Sequence, residues 1–400
     1  METVVSLYGV QPLRIGGVET FLREITVQLR ERGFRHVVVF HAEPSAVAQR
    51  YLQDAGLPYE VVPALNAEGL AAARAIDDIL CRHRPTVLHF SFMTLLGPIP
   101  WIARLRGVKR VFFTDQTSRL TSEIQRTSGW KRVIARILQI PVTGIMCVSK
   151  MNRRMGVERG VFPGSRTFVL YNGSELPSVQ RAPELSEKFR RRFQISPDAL
   201  VVAVLCWMIP EKGISDLLDA AQAVLARSSN AHFVIGGAGP SLEDFKAQAR
   251  RLGIADKVTF TGLIENPQEE GILAACDILC QPSRWQEAFG WVISEAMGFE
   301  RAVVATDVGG IPEVVEHGVT GLLCPPSQPP ALAETLTTLL ADPVRRKRMG
   351  IAGRQRAIEN FDLTRKVSEL LVYYGVPPAK ATAATPAKAS RRVPEGAERA

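Results

Sequence analysis

Short runs of aliphatic and β-branched residues alternate along most of this chain with stretches whose apolar positions recur at the helical period. That alternation leaves few architectures open. "TVVSLY" (Thr3–Tyr8) reads as a buried strand, and a loop with Gly16 and Gly17 follows it. A helix then runs from about Val18 to Arg32, with Val18, Phe21, Leu22, Ile25 and Leu29 on one stripe, until Gly33 ends it. "HVVVF", "TVLHF", "RVFFT", "GIMCVS" and "TFVLY" continue the series, a βαβ succession that implies a parallel sheet. Between Gly173 and Pro197 the pattern lapses into Pro, Ser and charge, which reads as a connection. Alternation resumes with strand "LVVAVLCWM", helix Ile214 to Arg227, strand "HFVIGG", helix Leu242 to Leu252 and strand "VTFTG". A helix around Ile272, strand "ILCQPS", helix Trp291 to Met297 and strand "AVVAT" complete it. With 400 residues, 46% of them hydrophobic, the chain can bury two cores, so two open α/β sheets in tandem are expected. Such sheets bind ligands beyond the carboxyl ends of their strands, and two facing each other make a deep cleft.

The six cysteines are scattered, and only Cys276 and Cys280 are close; they read as reduced, with no metal-ligand spacing. The N-terminus has no charged leader, and the apolar region Phe90 to Leu105 is broken by Gly97, Pro98 and Pro100. A cytoplasmic chain without a membrane span is therefore expected. A net charge of +9 collects in the tail (Lys380, Lys388, Arg391, Arg392, Arg399) and between Arg119 and Arg159, Arg126 included. There "GWKRVIARILQIP" sets Val133, Ile134, Ile137 and Leu138 beside Lys131, Arg132 and Arg136. The pattern fits a basic amphipathic helix lying on an anionic membrane, on its inner face. It also fits a core-facing helix with a solvated charged face, the commoner kind. No nucleic-acid partner is expected.

The segment "WQEAFGWVISEAMGFERAVVATDVGGIPE" (Trp285 to Glu313) is the densest in candidate chemistry. On one straight helix Glu287 and Glu295 would stand about 12 Å apart along the axis. Glycosidase carboxyl pairs sit at roughly 5–9.5 Å, so the spacing does not support a hydrolase pair. Gly290 suggests that the helix starts only after "AFG", leaving Glu287 on the loop. A loop and helix N-terminus that attract a phosphate, with two acids accepting from hydroxyl groups, fit better. Solvated helix charges are the plain alternative.

These residues resemble the retaining glycosyltransferase family 4. Its marks from Leu200 to about Phe361 are "PEKG" (Pro210 to Gly213), "GGAGP", "VTFTG", "EAFGWVISEA" and "AVVATDVGGIPEVVEHGVTGLL". "GGVETFLREI", "VSK" and "YNG" match more loosely in the first half. The resemblance implies the GT-B fold, two Rossmann-like domains facing each other across a cleft. The division expected is an acceptor domain over 1–177, a linker over 178–197 and a donor domain over 198–360. A helix over 361–376 should pack back on the first domain, and a disordered Ala/Pro/Lys-rich tail should cover 377–400.

The same resemblance implies transfer of a sugar from a UDP- or GDP-linked donor to a glycan, lipid-linked or small-molecule acceptor, with no metal and no other cofactor. Glu295 would hold the ribose hydroxyls, and Glu287, with the backbone around Phe289 and Gly290, would orient the donor sugar. Lys212 would neutralise the diphosphate, while Gly16 and Gly17 would let the first domain's backbone approach the phosphates. Gly310 and Glu313 of "GGIPE" would border the pocket. Attack would come from the leaving-group face, with the departing phosphate helping to take the acceptor proton.

Two departures stand out. The family usually places an Arg five residues before the lysine, where this chain has Trp207, and an indole does not replace guanidinium hydrogen bonds. The family often has a His in the loop after the "VFFT" strand, where this chain offers Asp115 and Gln116, with Arg119 as a candidate for the missing charge. His36, His83, His232 and His317 read as structural, and His41 and His89 as better placed for the cleft. A sugar-nucleotide epimerase and a non-catalytic nucleotide-sugar-binding protein are the competing readings.

Overall fold

The computed structural model describes residues 1–67, 69–119 and 128–378. The tail from 379 and Arg126 of the basic stretch lie outside the described residues.

The first lobe holds β1 (Thr3–Tyr8), β2 (Arg35–Phe40), β3 (Tyr59–Val61), β4 (Val87–Ser91), β5 (Arg110–Asp115), β6 (Gly144–Cys147) and β7 (Thr167–Val169). The second holds β8 (Leu200–Leu205), β9 (Ala231–Gly236), β10 (Val258–Gly262), β11 (Ile278–Gln281), β12 (Ala302–Thr306) and β13 (Gly321–Cys324). The two sheets run in the orders β3-β2-β1-β4-β5-β6-β7 and β10-β9-β8-β11-β12-β13, parallel throughout. In each, the first strand lies between the second and the fourth, so successive connections turn to opposite sides there. That switch point opens a crevice at the carboxyl ends of β1 and β4, and another at β8 and β11.

The strands form because both faces are covered. All six residues of β1 are buried, and the helix Gly17–Glu31 lays Phe21, Leu22, Ile25 and Leu29 against the sheet. β3 and β13 escape a reading based on apolar runs. β3 has three half-buried residues at the sheet edge, and β13 begins with a glycine.

The connection expected over 178–197 is largely a helix, Ala182–Arg192. Leu185 and Phe189, four residues apart on one face, enter the core of the second lobe beside Phe299 and Ala357. The stretch looks like loop in the sequence because Arg190, Arg191 and Arg192 crowd the helix's last turn. The chain instead crosses between lobes twice at one place. Ser174 N donates to Phe361 O (2.8 Å) and Leu363 N to Ser174 O (3.2 Å). Beyond this crossing the helix Leu363–Tyr373 packs on Gly17–Glu31, and Leu370, Leu371 and Tyr374 share a core cluster with Val4, Phe21 and Ile25.

His89 belongs to this core and not to the cleft. Its Nδ1 meets Tyr374 Oη at 2.5 Å and its Nε2 meets Thr114 Oγ1 at 2.6 Å. Burial pushes the imidazole down to about 3, so it stays neutral.

The helix Gly129–Leu138 overturns the core-facing expectation. Among its residues only Ala135 is buried. Trp130, Val133, Ile134 and Ile137, with Ile140 beyond, are 46–64% exposed. Among the described residues no helix is long and apolar enough to cross a membrane.

Phe189→Ala is expected to destabilise the second lobe by about 3–5 kcal/mol. A urea titration followed by tryptophan fluorescence measures it, and an unshifted midpoint would show that the helix is a mere connector.

Candidate functional site

The loops after β1, β8, β11 and β12 meet where the lobes face each other. After β8 the turn Pro210–Lys212 ends at Gly213 (φ 71°), where a Cβ would lie 1.8 Å from Pro282 O, so only glycine fits. This turn aims Lys212 Nζ at Glu287 Oε1, 2.7 Å away, and above the Trp285 ring at 4.7 Å.

Glu287 is 5% exposed and stands on the loop after β11. Its Oε1 also accepts from Ser283 Oγ (2.6 Å) and Gln281 Nε2 (3.2 Å), while Oε2 accepts from Ser118 Oγ of the first lobe (3.2 Å). Remaining acceptor capacity therefore lies on Oε2. Burial alone would raise this carboxyl. The Lys212 ammonium and the hydrogen bonds outweigh it and hold Glu287 below the usual range.

As the glycine spacing suggests, the next helix starts at Trp291, after Gly290 (φ 94°). Ile293 N bonds back to Gly290 O (3.0 Å), while the N–H groups of Trp291 and Val292 precede any carbonyl of this helix that could accept from them. Glu295, 8% exposed, lies in this helix. Burial raises its carboxyl, with Arg14 acting the other way and Glu175 adding to the rise. A cavity of about 160 Å³ joins Glu295 to Gly16, Thr20, Arg23 and Tyr51 of the first lobe and to Asn266 of the second. An open hollow of about 470 Å³ by Arg190, Asp277 and Arg346 shares none of these residues.

Several expected site residues have other work. Gly17 does not simply clear a path for phosphate: a Cβ there would stand 2.3 Å from the Trp291 indole, whose Nε1 donates to Gly173 O (3.0 Å). Gly16, at the helix N-cap, has room for a Cβ, and its N–H donates to Glu19 Oε2 (2.9 Å). Phe289 is a core side chain, 5.3 Å from the Phe361 ring, so only its backbone can serve a ligand.

Arg119 is no spare charge. It pairs with buried Asp115 at 3.1 Å, and its backbone exchanges two hydrogen bonds with Gln286 across the cleft. Gln116 faces a small hollow with His89, Tyr171 and Asn172 inside the first lobe. Glu313 reaches across the cleft to the first lobe. Its carboxylate accepts from Lys150 N and Met151 N (2.8 Å each) and Tyr171 Oη (2.9 Å), capping the helix Lys150–Glu158 of the other lobe. Gly310 allows that approach, since a Cβ would lie 2.5 Å from Ala288 O and 3.0 Å from Ser149 Cβ. Trp207 is 50% exposed and lies just past β8.

Sequence reading passed over Ser118, Arg14 and Trp291. Ser118 lies in the loop after β5, two residues past Gln116, and its Oγ also accepts from Ala288 N (3.1 Å). Among the described residues no group of three or more His, Cys, Asp or Glu side chains converges as metal ligands do.

The family described as glycosyl transferases group 1 matches residues 186–356, and glycosyltransferase family 4 matches residues 15–176. A phosphatidyl-myo-inositol mannosyltransferase of Mycobacterium leprae (strain TN) is 27% identical over 374 residues, 90% of this chain and 92% of that protein. An alpha-D-kanosaminyltransferase of Streptomyces kanamyceticus is 33% identical over 162 residues, 40% of this chain and 42% of that one. The crystal structure of Anabaena HepE in complex with UDP and glucose has a TM-score of 0.77 at 21% identity, covering 94% of this chain and 100% of that one, a likeness of fold.

Two facing parallel-sheet lobes with loops meeting at a shared cleft define the GT-B class. The chain belongs to the group 1/family 4 glycosyltransferases.

Glu295 yields a stability prediction. Its folded pKa lies above the ordinary value of 4.5, so its contribution favours the fold at pH below about 4.5 and is lost as pH rises through the folded pKa. Glu295→Gln is therefore expected to raise the melting temperature at pH 7, by roughly 2–4 °C for each ~1 kcal/mol relieved, and to raise it less at pH 4. Calorimetry at both pH values checks this, and a lower melting point at pH 7 would contradict it.

Proposed function

We propose that this enzyme moves a hexose from a UDP- or GDP-linked donor to a lipid-linked acceptor at an anionic membrane surface. The first lobe (1–177) takes the acceptor and the second (198–360) the donor. The observation that carries the donor half is the cavity to which Gly16 comes from one lobe and Glu295 from the other, with the Lys212–Glu287 pair in the adjoining cleft loops. Glu295 accepts from the ribose hydroxyls, and Glu287 orients the sugar through Oε2. Lys212 and the N-terminal end of the Trp291–Gly298 helix face the diphosphate.

The bond from the anomeric carbon to the diphosphate oxygen breaks as that oxygen takes charge. The acceptor oxygen bonds to the same face of the sugar, and its proton passes to the departing phosphate. Cation and helix dipole supply the stabilisation a metal provides elsewhere, so the proposed reaction is metal-independent.

The acceptor half rests on the helix Gly129–Leu138. It holds Lys131, Arg132 and Arg136, no Asp or Glu, and an outward apolar face. Apolar burial in the interface plus attraction to anionic headgroups is what such a face gains from a lipid surface. The name of the M. leprae relative is that of an enzyme acting on phosphatidyl-myo-inositol.

Lys212→Ala and Glu295→Ala are each expected to lower transfer by about 10²–10³-fold while the chain stays folded. Full turnover by both variants in a donor-consumption assay would refute the site. The protein should co-sediment with vesicles containing phosphatidylglycerol and far less with pure phosphatidylcholine, and Ile134→Asp with Ile137→Asp should abolish the difference. Equal sedimentation with both vesicle types would remove the membrane from the proposal.

A further inference from the structure

The cations around the cleft are nearly all paired. Lys212 lies 2.7 Å from Glu287, Arg119 3.1 Å from Asp115, Arg23 3.0 Å from Glu175 and Arg284 2.5 Å from Asp216. Trp207 stands where a guanidinium is expected, and its half-exposed indole brings no charge. Among the described residues, the side-chain cation that the second lobe brings to the expected diphosphate, Lys212, is thus already neutralised by a carboxylate. A leaving group with more than one negative charge requires more than that.

Arg14 is placed differently. It lies on the loop from β1 to the helix Gly17–Glu31, two residues ahead of Gly16, and is half-buried. It has no carboxylate within ion-pair distance among the described residues. Its guanidinium lies over the glycine loop, with Nε 3.5 Å and Nη2 3.8 Å from where a Cβ of Gly16 would stand. The neighbouring Ile15 N donates to Glu265 O of the second lobe (2.7 Å), which fixes this loop across the cleft. From there Arg14 acts on groups at both ends of the expected donor. It favours the ionised form of Glu295 at the ribose end. It does the same for the Cys206 thiol, beside Trp207 and under the influence of Lys212 and Glu287.

We propose that Arg14, reaching from the first lobe, is the guanidinium that contacts the donor diphosphate in place of the residue displaced by Trp207. The inference rests on the donor site proposed above and adds a specific consequence. The charge that grips the diphosphate arrives on the opposite lobe, so tight nucleotide binding requires closure. A planar fork bonds two phosphate oxygens in a fixed, parallel geometry, whereas an ammonium acts as a point charge with freely turning donors.

Titration calorimetry with UDP and GDP, and with UMP and GMP, tests this on the wild type, Arg14→Ala, Arg14→Lys and the double variant Arg14→Ala/Trp207→Arg. Arg14→Ala is expected to weaken the bound diphosphate about 10–100-fold, the loss of one or two charge-assisted hydrogen bonds. The monophosphate should weaken less than about threefold by the same reasoning. Arg14→Lys should fall between, and Trp207→Arg should recover at least part of the loss. Melting temperatures without ligand verify that each variant is folded. Arg14→Ala unchanged beside a wild type that binds, an equal loss for mono- and diphosphate, or no recovery by Trp207→Arg would each overturn the role of Arg14 alone. A wild type that binds neither diphosphate would remove the donor site itself.

Discussion

The Glu287 carboxylate is the constraint on which the cleft depends. Nearly dry, it is ionised only because Lys212, Ser283 and Gln281 from its own lobe and Ser118 from the other all point donors at it. A buried charge left with fewer partners would be costly. The same acid therefore fixes the lysine in the cleft and draws the loop after β5 over the second lobe. Organisation of the site and approach of the lobes are one electrostatic arrangement.

Other contacts across the cleft follow the same logic of unsatisfied groups finding partners on the far side. The first N–H groups of the helix Lys150–Glu158 are satisfied by Glu313, an acid of the other lobe, where helix polarity favours it. The indole of Trp291 enters the space left by Gly17 and bonds Gly173 O. Arg119 and Gln286 pair their backbones like two strands. Each is a modest interaction of polar or closely fitted groups, the kind that can open and re-form as ligands come and go.

Much of this was legible in the sequence. β1, β8 and β12 are uninterrupted apolar runs, and a parallel sheet buried on both faces demands such runs. Lys212, Glu287 and Glu295 lie in local patterns dense enough to read, and Gly290 marked the helix start. The failures have a common cause. Glu313 sits in a readable turn, but the helix it caps lies more than 150 residues earlier in the chain. Ser118, Arg14 and Trp291 likewise act on residues of the opposite lobe, and no spacing rule records that. The Gly129–Leu138 helix shows the limit of periodicity: the stripe is the same whether it turns inward or out. The helix Ala182–Arg192 has too few apolar positions to stand out, yet Phe189 fills the second core.

The crossing at Ser174 and Leu363 bears on how the protein comes into being. Part of the first lobe's interior is contributed by Val367, Leu370 and Tyr374, which are synthesised after the whole second lobe. At 5–20 residues per second the ribosome takes on the order of 10–40 s to make that intervening stretch. Until then the helix Gly17–Glu31 and the edge of Phe112 stand uncovered, a sticky face on a half-made chain. The earliest lobe to emerge is the last to mature, and its completion waits on the helix Leu363–Tyr373.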